Sequence, residues 1–195
     1  MLELDTPHGP ARAYLHEAES PRGWLVLGHG AGGGVESPDL KGAAQAGLEA
    51  GLSVALVEQP YRVAGRRSPA PAAQLDAAWT AVVERLPLGG LPLVAGGRSS
   101  GARVACRTAA ETGAVAVLCL AFPLHPPGRP EKSRLDELDA VAVPTLVVQG
   151  ESDPFGLPPA AANRVVVTIP GSHSLRNPTT VAKAVGEWLA ATVVA

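Results

Sequence analysis

The feature that most constrains the fold is a strand–turn–helix pattern in residues 91–105. Residues 91–95, Leu-Pro-Leu-Val-Ala, form a short apolar run bordered by glycine pairs, which is typical of a buried strand in a parallel sheet. From Ala102 onwards, small and apolar residues recur at the three- and four-residue spacing of a helix. Residues 97–101, Gly-Arg-Ser-Ser-Gly, lie between the two. The pattern therefore predicts a strand that turns sharply into a helix.

The turn has the form G-x-S-x-G, and both of its glycines have a steric reason. Because such a turn brings the strand and helix backbones close together, side chains at positions 97 and 101 would clash. Ser99 is left exposed at the helix N-terminus, where backbone N–H groups favour developing negative charge. We interpret Ser99 as a nucleophile; the alternatives are a plain glycine-rich turn, or a capping role that Ser99 and its neighbour Ser100 could fill equally well.

The rest of the chain alternates between strand and helix patterns. This alternation predicts an α/β fold in one domain of residues 1–195, with a mostly parallel eight-stranded sheet flanked by helices on both faces. The predicted strands are residues 2–5, 11–16, 24–28, 52–57, 91–95, 115–121, 144–149 and 164–169. The predicted helices are residues 38–50, 72–86, the helix from 102, 135–141 and 178–192, and residues 59–71 are predicted to form a loop.

Composition limits the classes of function. Hydrophobic residues make up 46% of the chain and charged residues 17%, as in globular proteins. The formal net charge of -2 gives no electrostatic reason to bind nucleic acid or an anionic membrane. The longest apolar run, residues 115–122, is too short to span a bilayer. We expect a soluble protein that binds neither nucleic acid nor membranes.

Cysteine and histidine usage bears on compartment and cofactors. Cys106 and Cys119 fall in a predicted helix and a predicted strand, so we interpret them as buried thiols of a reducing compartment rather than a disulfide. The histidines form neither an H-x-x-x-H nor an H-E-x-x-H pattern, and we therefore predict no metal site and no cofactor. Residues 1–5 lack the basic and apolar regions of a signal peptide. These features predict a cytoplasmic protein.

Three polar residues follow predicted strands. Ser99, Asp153 and His173 each lie in the loop directly after a strand, and ligands of open α/β sheets bind beyond the carboxyl ends of the strands. Their order along the chain, Ser, Asp, His, is that of the α/β hydrolases. Singly, each has an ordinary interpretation, since Asp153 precedes a proline as many turn residues do and His173 could be a surface histidine. Glu151 is the rival candidate for the acid.

Six stretches of the sequence resemble the α/β-hydrolase superfamily, and together they extend over nearly the whole chain. Within the superfamily, the sequence looks most like the small, capless, dienelactone-hydrolase-like proteins of the KANL3/Tex30 type. The matching stretches are His29-Gly-Ala-Gly, Pro60-Tyr-Arg, Gly97-Arg-Ser-Ser-Gly, Leu124-His-Pro-Pro-Gly, Val148-Gln-Gly-Glu-Ser-Asp-Pro-Phe-Gly156 and Gly171-Ser-His-Ser.

The resemblance implies roles for these residues. In this superfamily the nucleophile follows the fifth strand, the acid the seventh and the histidine the eighth, which correspond here to Ser99, Asp153 and His173. The resemblance also implies that the oxyanion is bound by the backbone N–H groups of Ala31 and Ser100. The glycine-rich run that contains Ala31 could instead be a phosphate-binding loop, but it lacks both the G-x-G-x-x-G pattern and a Walker lysine.

The predicted activity is hydrolysis of an ester or thioester of a small molecule through an acyl-enzyme intermediate. The usual cap of the superfamily is reduced to residues 123–138, which predicts an open site for small substrates. Candidate substrate-binding residues are Gly32, Arg62 and His125, and the arginines of residues 62–67 suggest a group that could bind a carboxylate. The alternative is a non-catalytic binding or assembly subunit, as the KANL3/Tex30 resemblance includes such members.

Overall fold

The sheet carries the candidate site at one of its edges. The computed structural model describes residues 1–193, so the last two residues of the predicted domain lie outside the described range. The eight strands form one sheet in the order β1-β2-β4-β3-β5-β6-β7-β8, in which β1, β2 and β4 pair antiparallel and all later neighbours pair parallel. Their bounds are β1 Leu2–Leu4, β2 Ala11–His16, β3 Trp24–Gly28, β4 Ser53–Glu58, β5 Leu93–Arg98, β6 Ala116–Leu120, β7 Thr145–Gly150 and β8 Arg164–Ile169. The predicted fold class is confirmed.

Helices cover both faces of this sheet. The helices are α1 Pro38–Glu49, α2 Pro60–Val63, α3 Ala72–Arg85, α4 Ser100–Thr108, α5 Leu135–Asp139 and α6 Pro178–Thr192. Because strand side chains alternate between faces, Val26 packs in the core under α3 and α4, whereas its neighbour Leu25 packs under α1 and α6. No helix within residues 1–193 is both long and apolar enough to cross a membrane.

Most boundaries lie within one or two residues of the sequence prediction, and three larger or more consequential differences lie near the site. The strand predicted at residues 91–95 is β5, and it continues through its glycines to Arg98 because β3 and β6 pair with Gly97 on both sides. The helix after it begins at Ser100 rather than Ala102. Part of the predicted loop of residues 59–71 is the short helix α2, which starts at a proline, a residue whose fixed φ suits the first helical position.

Glycines let β3, β5 and α4 approach each other closely. A Cβ atom at Gly97 would lie 2.5 Å from the carbonyl oxygen of Gly28, and one at Gly101 would overlap the same carbonyl group. Real Cβ atoms do not approach a carbonyl oxygen this closely, so any larger residue at position 97 or 101 would push α4 away from the sheet. The steric role predicted for positions 97 and 101 is confirmed, and the close approach fixes where Ser99 lies.

The candidate active site

Ser99 occupies the sharp turn between β5 and α4 in a strained backbone conformation. Its φ of 51 and ψ of -106 degrees lie outside the regions that non-glycine residues favour, at a cost of about 1–3 kcal/mol. The surrounding structure holds this conformation, since the Ser99 N–H donates to the Leu120 carbonyl at 2.9 Å and the Ser99 carbonyl accepts from the Arg103 N–H at 3.2 Å. The side chain thus stands at the carboxyl edge of the sheet.

His173 connects Ser99 to Asp153. Its Nε2 lies 2.9 Å from Ser99 Oγ, and its Nδ1 lies 2.9 Å from Asp153 Oδ2. Ser99 is 74 residues from His173 along the chain and Asp153 is 20, so the parallel strand ends bring the three together. Such a chain can move a proton from a serine hydroxyl to an imidazole while a carboxylate orients the ring.

The Asp153 carboxylate is buried, and both of its oxygens accept hydrogen bonds. Only 1% of the Asp153 side chain is exposed. In addition to His173, its Oδ2 accepts a hydrogen bond from Gln149 Nε2 at 2.8 Å, and its Oδ1 accepts one from the Phe155 N–H at 2.9 Å. The rival residue Glu151 is exposed. The structure therefore places Asp153, and not Glu151, against the imidazole.

The loop that carries His173 is anchored by ring packing and by close backbone contact. The Phe155 ring lies 4.1 Å from the His173 ring between centroids. A Cβ atom at Gly150, the last residue of β7, would overlap the carbonyl of Ser172, so glycine there allows the two loops to touch. These contacts limit the imidazole to the orientation that faces both Ser99 and Asp153.

The glycine-rich loop of residues 29–34 is held from behind by His29. This side chain is 2% exposed. Its Nε2 accepts from the Gln59 N–H at 3.1 Å, so its Nδ1, which lies 2.8 Å from the Gly30 carbonyl, acts as the donor. Burial lowers the pKa of His29, which agrees with a neutral imidazole in this tautomer. A neutral histidine that forms two hydrogen bonds thus fixes the start of the loop.

Tyr61 holds the same loop one residue further on. Its hydroxyl donates to the carbonyl of Ala31 at 2.9 Å, and its ring packs edge-on against His29 at 5.7 Å. Burial raises the pKa of Tyr61 to about 12, so the hydroxyl keeps its proton at neutral pH.

Within residues 1–193, the N–H groups of Ala31 and Ser100 donate no hydrogen bond, so both remain able to bind a ligand oxygen.

Arg98, the residue before Ser99, touches three parts of the site. Its Nε donates to Asp39 Oδ2 at 2.8 Å, and its Nη2 donates to the His173 carbonyl at 3.1 Å. A Cβ atom at Gly30 would lie only 2.6 Å from Arg98 Nη1 and 3.6 Å from the Ser99 Cβ. The Arg98 and Asp39 side chains are 17% and 2% exposed. One partly buried guanidinium therefore joins α1, the loop of His173 and the glycine-rich loop.

The other predicted residues lie in different places. Gly32 lines a cavity beside the site, and a Cβ atom there would meet nothing within 4 Å. Arg62 Nη1 donates to the carbonyl of Arg66 in its own loop. His125 packs against the loop after β7 that carries Asp153, since its Nε2 would be 2.6 Å from a Cβ atom at Gly156. Neither Arg62 nor His125 forms a hydrogen bond with Ser99 within residues 1–193.

Two residues of this site were not predicted from the sequence. Gln149 is a fully buried amide at the end of the apolar strand β7, and a buried polar group must find partners, which was the available signal. The sequence gave no such signal for Arg98, because the variable positions of G-x-S-x-G accept many residue types.

Cys106 and Cys119 lie in the core, as predicted. They are free thiols with their sulfur atoms 3.5 Å apart, on α4 and β6. The hydrogen bond with Cys106, together with burial, raises the pKa of the Cys119 thiol, so neither geometry nor ionisation favours a nucleophilic role. Within residues 1–193, no three His, Cys, Asp or Glu residues are grouped in a way that could hold a metal ion.

The sheet order, the serine at a strained turn after β5 and the loops after β7 and β8 define the α/β-hydrolase fold. Residues 21–179 match the model of a family described as an alpha/beta hydrolase domain. The chain belongs to this family. No curated protein matches the sequence.

Solved structures of the same fold are similar over nearly the full length. XC6422 from Xanthomonas campestris, described as a serine hydrolase without a lid, is 23% identical, with 97% of this chain and 93% of that chain covered and a TM-score of 0.78. Est1E from Butyrivibrio proteoclasticus with bound ferulic acid is 18% identical, with 100% of both chains covered and a TM-score of 0.80. Dienelactone hydrolase from Anabaena variabilis is 20% identical, with 98% and 96% covered and a TM-score of 0.74. At these identities the likeness shows the fold.

Proposed function

We propose that the protein hydrolyses ester or thioester bonds of small molecules, with Ser99 as nucleophile, His173 as general base and Asp153 as the acid that orients it. The observation that carries this proposal is the pair of 2.9 Å contacts that joins Ser99 Oγ, the two nitrogens of His173 and Asp153. Membership of a hydrolase family supports it.

The first half of the reaction acylates the serine. His173 Nε2 takes the Ser99 proton while Oγ forms a bond to the substrate carbonyl carbon, and the carbonyl π electrons move to the oxygen. Asp153 accepts the hydrogen bond from Nδ1–H and stabilises the imidazolium. When the tetrahedral intermediate collapses, the bond to the alcohol or thiol breaks, and the leaving group takes the proton from Nε2. An acyl-enzyme remains.

The second half releases the acid. His173 Nε2 removes a proton from a water molecule that attacks the acyl carbon, and the proton then returns to Ser99 Oγ as the ester to the enzyme breaks. In both halves the N–H groups of Ala31 and Ser100 are proposed to bind the oxyanion. Their availability, and the anchoring of Ala31 by Tyr61, support this assignment.

The proposed substrate is small because the segment above the site is short. Within residues 121–144 the structure contains one helix, the five-residue α5. This segment also packs against the loop after β7 that carries Asp153, where the His125 N–H donates to the Phe155 carbonyl at 3.0 Å. Long acyl chains need an apolar cover. A series of esters with increasing acyl length should therefore give its highest kcat/KM among the short members.

Three finer assignments belong to the same proposal. We place the protein in the KANL3/Tex30 type of the superfamily on the basis of the motifs around His29, Ser99 and His173. We also propose a cytoplasmic location, which the paired free thiols of the core support, and one domain over residues 1–195, which is supported by the single sheet.

A fluorophosphonate probe tests the mechanism directly. The probe phosphonylates activated serines, so the wild-type protein should be labelled at Ser99 and Ser99→Ala should lose both labelling and turnover. Ser100→Ala is the matched control, as it removes the adjacent hydroxyl but keeps the backbone N–H, and it should still be labelled. Labelling that persists in Ser99→Ala would overturn the assignment of Ser99 as the nucleophile. A wild-type protein that resists the probe and hydrolyses no ester would support the alternative of a non-catalytic subunit.

A further inference from the structure

Gln149 is a buried polar residue at the end of an apolar run. It is the second-last residue of β7, and Leu146, Val147 and Val148 directly before it are buried as well. The Gln149 side chain is 0% exposed. An apolar side chain of similar length would avoid the free-energy cost of burying an amide. A glutamine at this position therefore needs a reason in the contacts that it makes.

The amide nitrogen of Gln149 has more acceptors within reach than hydrogens to donate. Nε2 lies 2.8 Å from Asp153 Oδ2, 2.8 Å from the Gly156 carbonyl and 3.0 Å from the Phe122 carbonyl, but an amide group has only two N–H bonds. The Phe122 carbonyl also accepts from the Leu124 N–H at 3.0 Å, so the two shorter contacts take both hydrogens. The amide thus bridges Asp153 and a carbonyl of its own loop.

The amide oxygen of Gln149 shows that the nitrogen contacts decide how the side chain is oriented. Oε1 is buried and has no hydrogen-bond partner within residues 1–193, which costs free energy. Turning the amide over would place this oxygen against a carboxylate and two carbonyls, and these groups cannot donate to it. The chain therefore keeps an amide here at a cost in stability, as is typical of residues that serve a functional site.

Asp153 Oδ2 accepts hydrogen bonds from two side chains, and Gln149 is one of them. The other is His173, whose Nδ1 lies 2.9 Å from the same oxygen. Only 1% of the Asp153 side chain is exposed, so water has no access to replace a donor that is lost. The Gln149 hydrogen bond fixes the rotation of the carboxylate, and it also reduces the negative charge that the carboxylate presents to the imidazole.

The other charged groups near His173 act on its backbone or lie in solvent. Arg98 donates from β5 to the His173 carbonyl and is itself paired with Asp39 of α1, and Arg176 in the loop of His173 is exposed. Within residues 1–193, Asp153 is the one carboxylate that is bonded to the ring. The charge on Asp153 is therefore the main control on how strongly the ring holds its second proton.

We propose that Gln149 is a positioning residue, which holds the Asp153 carboxylate against His173 and thereby sets the pH range in which His173 acts as a base. Because Gln149 is fully buried, it acts through Asp153 and not on the substrate. The inference rests on the hydrolase activity proposed above and adds the control of its pH dependence.

Gln149→Met removes both amide hydrogens and keeps the length of the side chain. The Asp153 carboxylate then attracts the imidazole proton more strongly, so the rise of kcat/KM with pH should move to higher pH by about one unit. The kcat on the plateau should fall by about tenfold, because the carboxylate orients the ring less well. The midpoint of the His173 ring resonances in an NMR titration, which needs no substrate, should move by the same amount.

Gln149→Glu replaces the amide by a carboxyl group of the same shape. At the 2.8 Å separation from Asp153 Oδ2, the two carboxyl groups would share one proton, since both cannot be charged so close together. While this proton is present, its O–H can donate to Asp153 as the amide does. When the proton is lost, at about pH 8–9 for a buried carboxyl group, the two anions repel each other. The variant should therefore lose kcat/KM at alkaline pH, a loss that is absent from the wild type.

Asn163→Leu is the matched control. The Asn163 amide nitrogen also donates to two carbonyls, those of Val141 and Val143 at 2.7 and 3.2 Å. These contacts lie at the opposite end of β7, where the N–H of its first residue, Thr145, donates to the Asn163 carbonyl. The variant should be less stable in thermal unfolding, but its kinetic and NMR midpoints should equal those of the wild type.

Three results would overturn the proposal. They are an unchanged midpoint in Gln149→Met, an alkaline limb of Gln149→Glu that matches the wild type, and a shift in Asn163→Leu as large as that in Gln149→Met. If Gln149→Met does not fold, the alkaline limb of Gln149→Glu decides. In all of these cases Ser99 is still labelled and esters are still hydrolysed, so the proposed activity stands. A wild-type protein that is neither labelled nor active would overturn the activity instead, and the NMR midpoints would still test the link from Gln149 to His173.

Discussion

Two regions of the site are built in opposite ways. The acid arm consists of Gln149, Asp153 and His173, whose side chains point toward the reaction and bond to each other. The oxyanion arm consists of the loop of residues 29–34, whose backbone borders the serine while the side chains of His29 and Tyr61 hold it from behind. In one arm the side chains are proposed to do the chemistry, and in the other they only position the backbone.

The difference sets how each arm should respond to mutation. Removing a side chain from the acid arm removes a proposed catalytic group, so the barrier to reaction should rise by several kcal/mol. Removing a supporting side chain from the oxyanion arm leaves the N–H groups in place but less well fixed, and the effect should be smaller. The following predictions test this contrast, starting with the largest effect.

The largest effect is expected for Asp153→Asn. The amide would donate to His173 Nδ1, and the ring would then carry its proton on Nε2 and be unable to accept the proton of Ser99. We expect kcat to fall by about 10⁴-fold, the cost of the wrong tautomer, while the fold is kept. Steady-state kinetics with a short-chain ester measures this fall, and circular dichroism checks the fold.

Glu151→Gln is the control for this variant. Glu151 lies two residues away and is exposed, so its loss should change kcat by less than about twofold. If Glu151→Gln proved as damaging as Asp153→Asn, then Glu151 would be the acid and the 2.9 Å contact of Asp153 would not be the functional one.

The next effect is expected at Arg98, because its guanidinium joins the two arms. Arg98→Met leaves the Asp39 carboxylate buried without its ion-pair partner, which costs about 3–5 kcal/mol of stability. The double variant Arg98→Met/Asp39→Leu removes both charges and should recover most of this stability. Its kcat should stay lower by about 10²-fold, because the His173 carbonyl has lost its donor and the imidazole is less well placed.

Thermal unfolding and kinetics on the same two proteins separate these effects. Stability that returns while turnover does not shows that Arg98 positions the site. Turnover that recovers along with stability would mean that Arg98 serves the fold alone, and that the two arms do not depend on it.

The sequence predicted that Ser99, Asp153 and His173 come together, but it could not predict what holds the oxyanion arm, for a physical reason. Ser99, Asp153 and His173 are residue types whose chemistry is readable, and each follows a strand, so the parallel sheet places them at one edge. The glycine-rich loop could be read as an oxyanion loop only through the family resemblance. What holds it, the contacts of His29 with Gln59 and of Tyr61 with Ala31, spans about thirty residues and leaves no local pattern.

The predicted substrate residues Arg62 and His125 show the same limit. Arg62 and His125 follow strand ends by chain position, but their side-chain contacts are set by α2, where Arg62 bonds the Arg66 carbonyl, and by the loop after β7, where His125 lies against Gly156. Loop arginines carry no periodic signal, so the sequence does not predict what the Arg62 side chain contacts. Positions on strands are thus predictable, whereas the directions of long side chains on loops depend on tertiary contacts.

A smaller effect is expected for Tyr61→Phe in the oxyanion arm. The variant keeps the ring against His29 but removes the hydrogen bond to the Ala31 carbonyl. Since the net worth of such a bond is about 0.5–1.5 kcal/mol, kcat should fall by about two- to tenfold. Tyr14→Phe is the control, because the Tyr14 hydroxyl only bonds Glu58 at 3.4 Å, and it should be fully active. A fall as large as that of Asp153→Asn would remove the contrast between the arms.

The smallest effect concerns stability rather than turnover, and it arises at His29. Burial lowers the pKa of His29 below its usual value of 6.5, so the unfolded chain binds a proton there more readily than the folded protein. Above pH 6.5 the imidazole is neutral in both states and the full stability is present. As the pH falls from 6.5 toward the lower pKa of the folded state, only the unfolded chain gains the proton, and stability is lost. Below the folded pKa the loss stops.

Urea unfolding between pH 8 and pH 5 measures this loss as a change in the free energy of unfolding. In His29→Gln the amide oxygen can still accept from the Gln59 N–H, but no titrating group remains. This variant should be less stable than the wild type at pH 8 and should lose less stability on acidification. His16→Gln, at an exposed position, should follow the wild-type curve. Parallel curves for the wild type and His29→Gln would show that the oxyanion arm is not held by a neutral histidine.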